Sequence, residues 1–249
     1  MVRVDGKEVT AIPETAGFRA DALQQSIFDI LLRSSEIYRY DNWDHLIAEL
    51  KVRKSVVDAS RDLARSGLSF RVFRESKANP DFWRRTGEGG FEIKSGVLPS
   101  DAILDIYRNG RMYGTECSTA MIIVLYKALL DVIPKEKYNK LYSGIYLMNW
   151  MHLDRDLAIV IHPKAADLIP GDARYFSNPD VDPLTPQWQG ENAYYLGGGL
   201  YYGHGMGITN ADGIIRALNR ARKKDATQSA FLNEMVKRQD YRQLAGYMQ

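Results

Sequence analysis

The sequence predicts an α+β fold in which one buried helix packs against an antiparallel sheet. Three observations lead to this prediction. Residues 115–132 read as a helix that is apolar on nearly every side over 121–126, as expected of a helix buried all round. Segments with strand-like patterns follow it, and amphipathic helices precede it. We therefore expect a central helix, an antiparallel sheet packed on it, and additional helices at both ends of the chain.

The composition limits the classes of function. The 249 residues include 33 Lys and Arg, 31 Asp and Glu, and a single cysteine. The balanced charge argues against a strongly basic nucleic-acid binder, and one cysteine cannot form the disulfides of a stapled secreted module. No signal peptide is visible, and the longest apolar run, 120–126, is too short to span a membrane. We expect one domain over 1–249 in an intracellular protein without nucleic-acid or membrane partners.

The N-terminal half is predicted as alternating hairpins and helices. Asp5-Gly6 is typical of a type I′ turn, and Gly67 stands where a glycine after a helix is expected. Ser100 is in position to cap a helix that stops at Gly110. The predicted elements are a hairpin over 1–10, helices over 20–37 and 43–66, a second hairpin over 82–94 and a helix over 100–110.

The C-terminal half is predicted as strands followed by helices. We expect the central helix to begin at Thr115 as its N-cap and to end before Pro134. Helix is expected again from about Asn210 onward, with the basic run 222–224 at a helix C-terminus. The predicted strands lie at 145–148, 157–161, 174–176, 191–196 and 200–204.

Cys117 is the strongest candidate for a reactive residue. A lone cysteine is more often a small buried hydrophobe, but behind an N-cap at Thr115 it falls in the first turn of the central helix. Free backbone amides and the positive end of the helix dipole favour a thiolate there and lower its pKa. A nucleophilic cysteine that opens a buried helix, followed by an antiparallel sheet, is the papain-like arrangement.

A predicted hairpin offers partners for this cysteine. If its turn centres on Gly197-Gly198, Glu191 and His204 face each other on one side of the sheet. A shift of one residue would pair His204 with Asn192 instead. The pair is therefore either part of a site or an ordinary cross-strand surface contact.

Two further features are weaker. Glu116 precedes the cysteine and reads either as an acid that complements the helix dipole or as an auxiliary carboxylate of the site. The segment from Asn178 resembles the start of an EF-hand, but Pro183 and Gln189 stand where Gly and Glu are required. We expect no bound metal and no cofactor.

Four motifs in order resemble the spore-coat transglutaminases of endospore-forming bacilli. They are E-C at Glu116, G-D-x-x-Y-F-x-N-P from Gly171, W-x-G-E-N from Trp188 and H-G-x-G-I from His204. The resemblance runs nearly end to end. It implies a papain-like core and an enzyme that joins glutamine to lysine side chains as isopeptide bonds without calcium. Its substrates would be spore-coat proteins with accessible Gln and Lys, and its location the mother-cell cytoplasm and then the coat.

The resemblance also implies roles for individual residues. Cys117 would be the nucleophile, Glu191 its catalytic partner, Glu116 a possible substitute carboxylate and His204 a further site residue. A thioester intermediate protected from water favours transfer over hydrolysis. The residues predicted to line a buried substrate tunnel are Trp150, Trp188, Asn192, Tyr201 and Tyr202.

Two other functions remain open at this stage. A papain-like peptidase or amidase would use Cys117 with His204 as its base. A non-catalytic coat or scaffold protein would have Cys117 as an unreactive core residue.

Overall fold

A computed structural model describes residues 1–150 and 152–249 as a mixed α+β fold. A six-stranded antiparallel sheet lies beside a buried helix, and smaller sheets flank them. The helices are α1 (Ala22–Arg33), α2 (Trp43–Arg65), α3 (Pro99–Arg108), α4 (Cys117–Leu130), α5 (Lys135–Leu141), α6 (Ala211–Asn219) and α7 (Tyr241–Tyr247). The strands are β1 (Val2–Val4), β2 (Lys7–Val9), β3 (Tyr38–Tyr40), β4 (Ser69–Phe70), β5 (Trp83–Arg85), β6 (Phe91–Ile93), β7 (Gly114–Thr115), β8 (Tyr146–Leu147), β9 (Ile159–His162), β10 (Ala173–Ser177), β11 (Gly190–Gly197), β12 (Leu200–Gly203), β13 (Gly207–Asn210) and β14 (Phe231–Gln239).

Both predicted N-terminal hairpins are confirmed. The strands β1 and β2 pair antiparallel around Asp5 and Gly6, whose φ angles of 50° and 71° are the left-handed values that a type I′ turn needs. The strands β5 and β6 form the second hairpin. Helices α1 and α2 also lie where the sequence predicts them, and Gly67 follows α2 with a φ of 88°.

Helix α4 is the central element of the core, as its apolar sequence predicts. Residues 120–126 are at most 1% exposed. Helix α2 packs along one side of α4, and β11 lies against another. The Tyr194 hydroxyl of β11 donates to the Met121 carbonyl of α4 over 3.1 Å, which ties the helix to one face of the six-stranded sheet.

The predicted starts of two helices are wrong. Glu116, not Thr115, is the N-cap of α4, because its carboxylate accepts from the amides of Ser118 and Thr119 while Thr115 pairs in β7. Cys117 is therefore the first residue of the helix. Helix α3 begins after Leu98, and Ser100 lies inside it, because Pro99 takes the first helical position, where its missing N–H costs nothing.

The C-terminal third also differs from its prediction as helix. Helix α6 ends at Asn219, and the chain then forms the nine-residue strand β14 before α7. The sheet order β13-β12-β11-β10-β14-β9 places this strand between β10 and β9. Its sequence carries charged residues at positions that the sheet buries, notably Arg238, so neither an apolar alternation nor an apolar run marks it as a strand.

A buried ion-pair network connects α2 to this sheet. Asp172 has no exposed surface. Its Oδ1 forms ion pairs with Nη1 of Arg53 on α2 and with Nε of Arg238 on β14, each over 2.8 Å. Glu49 also pairs with Arg53 over 2.7 Å. Burial alone would raise the pKa of Asp172, but the two guanidinium groups hold it below its ordinary value. The network therefore fixes α2, β10 and β14 relative to one another.

Within the described residues, no helix combines the length and apolar character needed to cross a bilayer.

Replacing Asp172 with Asn should destabilise the protein by about 3–5 kcal/mol, because two buried guanidinium groups lose their shared anion. Urea unfolding followed by circular dichroism measures the change. Asp225→Asn is the matched control, since Asp225 is exposed and has no ion pair with described residues. Equal stabilities of the two variants would contradict a structural role for the network.

Candidate active site

Cys117 opens helix α4 and has Glu116 directly before it. The Glu116 carboxylate accepts from the backbone N–H groups of Ser118 and Thr119, both at 2.7 Å, and from the Ser118 hydroxyl at 2.9 Å. A glutamate in this position satisfies the amides that a helix N-terminus leaves free. Those amides are consequently engaged by Glu116 and do not serve the Cys117 thiol.

Asn192 is the polar partner of the thiol. Its Nδ2 donates to Cys117 Sγ over 3.5 Å, and its Oδ1 accepts from the indole Nε1 of Trp150 over 3.0 Å. Asn192 lies on β11, which packs against α4. The Trp150 hydrogen bond fixes the orientation of the amide, so that its NH₂ group faces the sulfur.

Glu191 has only 1% of its surface exposed, and its charge acts on the Cys117 thiol. A backbone hydrogen bond from His204 reaches its carboxylate, while Oε1 has no hydrogen-bond partner among the described residues. Gly203 makes room for the side chain, because a Cβ there would lie 2.9 Å from Oε1. The site thus holds a buried carboxylate with one oxygen free to exchange a proton.

The predicted register of Glu191 against His204 is wrong. Ala193 pairs with Gly203 and Tyr194 with Tyr202, so this register points His204 toward Asn192. The difference arises at the triple glycine, where the register shifts between Tyr195 and Gly197. His204 still contacts Glu191, but through its backbone N–H.

The two nitrogens of the His204 ring have hydrogen-bond partners other than the thiol. Its Nε2 lies 3.2 Å from the Ser69 carbonyl, and its Nδ1 lies 3.2 Å from the Tyr202 hydroxyl. The carbonyl can only accept, so Nε2 carries the proton and Nδ1 accepts from Tyr202. Burial lowers the pKa of His204 to about 4, which keeps the ring neutral. Both ring nitrogens are occupied by these partners.

The position of Cys117 at a helix terminus, taken alone, predicts a lowered thiol pKa, and that part of the prediction is wrong. Burial raises the pKa of Cys117 most, and the charges of Glu191 and Glu116 raise it further, whereas the hydrogen bonds from Asn192 lower it. Burial and the Glu116 charge likewise raise the pKa of Glu191 well above its ordinary value, against the His204 backbone hydrogen bond. The helix dipole does not lower the Cys117 pKa overall, because desolvation and two nearby carboxylates raise it.

Cys117 opens onto a cavity of about 480 Å³. Of the predicted tunnel residues, Trp150 and Asn192 lie on its wall, while Trp188 stacks on the wall residue Phe70 with ring centroids 5.2 Å apart. Tyr201 packs edge-on against Phe176, and Tyr202 is hydrogen-bonded to His204. The wall includes Phe70, Val72, Phe73, Trp150, Tyr175 and Asn192.

Three site residues escaped the sequence analysis. Tyr175 lies on the cavity wall, where burial and the charges of Cys117 and Glu191 raise its pKa; its signal was the tyrosine of the motif that starts at Gly171. Gly203 admits the Glu191 carboxylate, and only its place beside His204 could have marked it. Lys237 has its Nζ 4.1 Å from the ring centroid of the wall residue Trp150, but it falls in the segment predicted as helix, which concealed it.

Neither stretch that the structure describes, 1–150 or 152–249, contains three His, Cys, Asp or Glu side chains grouped so as to hold a metal ion.

Comparison with known proteins gives a consistent result. The family model described as protein-glutamine gamma-glutamyltransferase matches residues 1–248. The protein-glutamine gamma-glutamyltransferase of Bacillus cereus (strain AH820) is 44% identical over 221 residues, which cover 89% of this chain and 79% of that protein. The protein of the same description from Bacillus mycoides (strain KBAB4) is 42% identical over 226 residues, 91% of this chain and 81% of its own length.

The similarity extends to three-dimensional structure. A solved structure of the transglutaminase from Geobacillus stearothermophilus (without C-terminal extension) matches with a TM-score of 0.80 and 48% sequence identity. The match covers 84% of this chain and 99% of that one. This chain therefore has the fold of a bacterial transglutaminase.

The electrostatic coupling of Cys117 to Glu191 predicts a shift in thiol reactivity. Glu191→Gln should lower the pH at which half of the thiol is ionised by about 1, because a nearby negative charge that raises the thiol pKa is removed. The rate of iodoacetamide alkylation against pH measures this, since thiolate is the reacting form and Cys117 is the only cysteine.

Glu88→Gln is the control for this shift, because Glu88 is exposed and has no ion pair among the described residues. A Glu191→Gln curve that coincides with the parent curve would contradict the coupling.

Proposed function

This chain belongs to the protein-glutamine gamma-glutamyltransferase family, and from that premise we propose that Cys117 and Glu191 form the catalytic pair of a calcium-independent transglutaminase. The observation that carries the proposal is the position of the thiol. Cys117 lies at the head of a buried helix, on a cavity wall, beside a buried carboxylate and a fixed amide donor. A nucleophile, a base and an orienting donor are the groups that acyl transfer through a thioester requires.

The first half-reaction forms a thioester. Glu191 takes the thiol proton as Sγ attacks the γ-carboxamide carbon of a glutamine side chain. The C–N bond then breaks, and Glu191 returns the proton to the departing ammonia. The raised pKa of Glu191 makes it a stronger proton acceptor than an ordinary carboxylate. The hydrogen bond from Asn192 Nδ2 stabilises negative charge on the sulfur as it develops.

The second half-reaction forms the isopeptide bond. A lysine amine attacks the thioester carbon, gives one proton to Glu191 and displaces the Cys117 sulfur, which recovers a proton. A free lysine amine is largely protonated at neutral pH. The Glu191 carboxylate attracts that cation, and the extra proton of the ammonium is lost to solvent before the neutral amine attacks. The apolar wall formed by Phe70, Val72 and Phe73 restricts water, which would otherwise hydrolyse the intermediate.

Glu191 is the better supported of the two carboxylates. Both carboxylate oxygens of Glu116 accept hydrogen bonds from the capped amides of Ser118 and Thr119. Glu191 Oε1, in contrast, has no hydrogen-bond partner among the described residues. In this proposal Glu116 holds the helix terminus and substitutes for the base only weakly.

The alternative of a peptidase with His204 as its base has less support. That mechanism needs an imidazole nitrogen directed at the thiol, and the His204 nitrogens face Ser69 and Tyr202. We assign His204 to holding Glu191 through its backbone N–H.

The biological setting is likewise proposed. The resemblance to spore-coat transglutaminases supports coat proteins with accessible Gln and Lys as substrates, and a path from the mother-cell cytoplasm to the coat. The family match over residues 1–248 supports one catalytic unit for the chain, and the helix-borne cysteine beside an antiparallel sheet supports a papain-like core.

Incorporation of a fluorescent primary amine into a glutamine-rich protein, with a chelator present, tests the catalytic assignment. The parent should incorporate label, and Cys117→Ala should incorporate none. Glu191→Gln should lose about 10²–10⁴-fold in rate, the usual contribution of a general acid–base group. Glu116→Gln should lose much less, because the neutral amide still offers an oxygen to the helix N-terminus.

Two outcomes would contradict this assignment. Ammonia release by the parent without label would indicate a hydrolase. Neither ammonia nor label over several donor proteins would support a non-catalytic coat or scaffold protein.

Gly203→Ala should lower the rate of amine incorporation by at least about tenfold, because a Cβ 2.9 Å from Glu191 Oε1 displaces the carboxylate. Gly246→Ala is the matched control, since a Cβ there meets no atom within 4 Å. Steady-state rates with both variants check this, and a fully active Gly203→Ala enzyme would contradict the position assigned to the base.

A further inference from the structure

Lys237 on β14 is a half-buried cation without an anionic partner. Its Nζ lies 4.1 Å from the ring centroid of Trp150. Among the described residues it forms no ion pair and no side-chain hydrogen bond, unlike its neighbour Arg238, which is paired with Asp172. A lysine held against an aromatic face instead of a carboxylate keeps its positive charge available to other groups.

The sheet register directs Lys237 toward the thiol. Lys237 lies opposite Ala173, and Ala173 lies opposite Tyr194, so the three form a row on one face of the sheet. Tyr194 marks that face as the one covered by α4, through its bond to the Met121 carbonyl. Lys237 is therefore on the α4 side, where Cys117 lies.

A continuous series of contacts joins the cation to the sulfur. The ammonium packs on the Trp150 ring, Trp150 Nε1 donates to Asn192 Oδ1 over 3.0 Å, and Asn192 Nδ2 donates to Cys117 Sγ over 3.5 Å. Lys237 thus contacts Trp150, and Trp150 orients Asn192, the hydrogen-bond donor to the Cys117 thiol.

We propose that Lys237 is a positioning residue of the acyl-transfer site: its ammonium holds the Trp150 ring, and through it Asn192, against Cys117, and supplies positive charge that offsets the two carboxylates beside the thiol. This inference rests on the proposed function of Cys117 as the nucleophile. It adds Lys237 of β14 to the proposed site. That strand is remote in sequence from α4, which carries Cys117, and from the motifs described above.

The electrostatic surroundings agree with this role. Burial lowers the pKa of Lys237 to about 8, and the proximity of Cys117 counteracts that effect. The strand neighbours of Lys237, Ala173 on β10 and Ile161 on β9, carry no charge.

The titratable groups around the thiol include both signs of charge. The carboxylates of Glu191 and Glu116 raise the pKa of Cys117, and Cys117 in turn acts on the Tyr175 hydroxyl and the Lys237 ammonium. Loss of the cation leaves only acidic groups among these titratable side chains, and their negative charges disfavour the thiolate.

The experiment compares Lys237→Met and Lys237→Arg in the full chain, with Lys7→Met as the matched control. Lys7 is exposed on β2 and has no ion pair among the described residues. Two readouts are taken for each: kcat and KM for amine incorporation, and the pH dependence of Cys117 alkylation by iodoacetamide. Circular dichroism and thermal unfolding verify folding, and Lys237→Gln replaces the methionine variant if the latter does not fold.

We expect Lys237→Met to reduce kcat about tenfold, the size of a partly desolvated cation–π contact, with little change in KM. Its alkylation curve should move to higher pH, the direction opposite to that of Glu191→Gln. Lys237→Arg should recover most of both properties, because arginine retains the charge and stacks on indole.

Three outcomes separate this inference from the proposed function. An unchanged kcat and alkylation curve in Lys237→Met would overturn the inference while leaving the function intact. Equal losses in the Met and Arg variants with an unchanged alkylation curve would also overturn it, by indicating a purely structural role. A parent enzyme that incorporates no amine would contradict the proposed function, and with it the role of Lys237 in acyl transfer.

Discussion

The buried carboxylate of Asp172 is the constraint on which the geometry of the site depends. It joins Arg53 of α2 to Arg238 of β14 with no surface exposed. A buried anion that lost either partner would be destabilising, so the register of β14 against β10 is held at this point. That register places Lys237 on the sheet face covered by α4. The helix that carries Cys117 and the strand that carries Asn192 are packed against the same face.

Around this frame, burial decides the charge state of the resting site. The thiol of Cys117 and the carboxyl of Glu191 both have raised pKa values, because desolvation and neighbouring carboxylates disfavour their charged forms. A site of this kind favours a neutral thiol over a thiolate–imidazolium pair, since the neutral His204 ring is hydrogen-bonded to Ser69 and Tyr202. In the proposed mechanism Glu191 passes the thiol proton to the departing ammonia and later accepts a different proton from the incoming lysine, and the apolar cavity protects the thioester between the two steps.

Local sequence signals predicted many of the helices and turns. The elements that depend on contacts between residues far apart in the sequence were not predicted. The type I′ turn at Asp5-Gly6, helix α2 and the buried helix α4 follow from turn chemistry and periodicity. The N-cap at Glu116 and the shift at the triple glycine depend on side-chain bonds and a bulge that periodicity does not encode. The strand β14 was missed because its buried Arg238 is satisfied by an aspartate 66 positions away. The motifs singled out Cys117 and Glu191 as candidates, but the position of Lys237 on the sheet face covered by α4 became visible only once the sheet had been assembled.

Mass spectrometry of the intact protein after reaction with a glutamine peptide, with no amine present and with an acid quench, tests the central claim most directly. The account predicts an adduct equal to the peptide less one ammonia, located on Cys117 and released by hydroxylamine, as expected of a γ-glutamyl thioester. The Cys117→Ala protein should carry no adduct. Ammonia release without any adduct on Cys117, or an adduct on another residue that Cys117→Ala retains, would contradict the account.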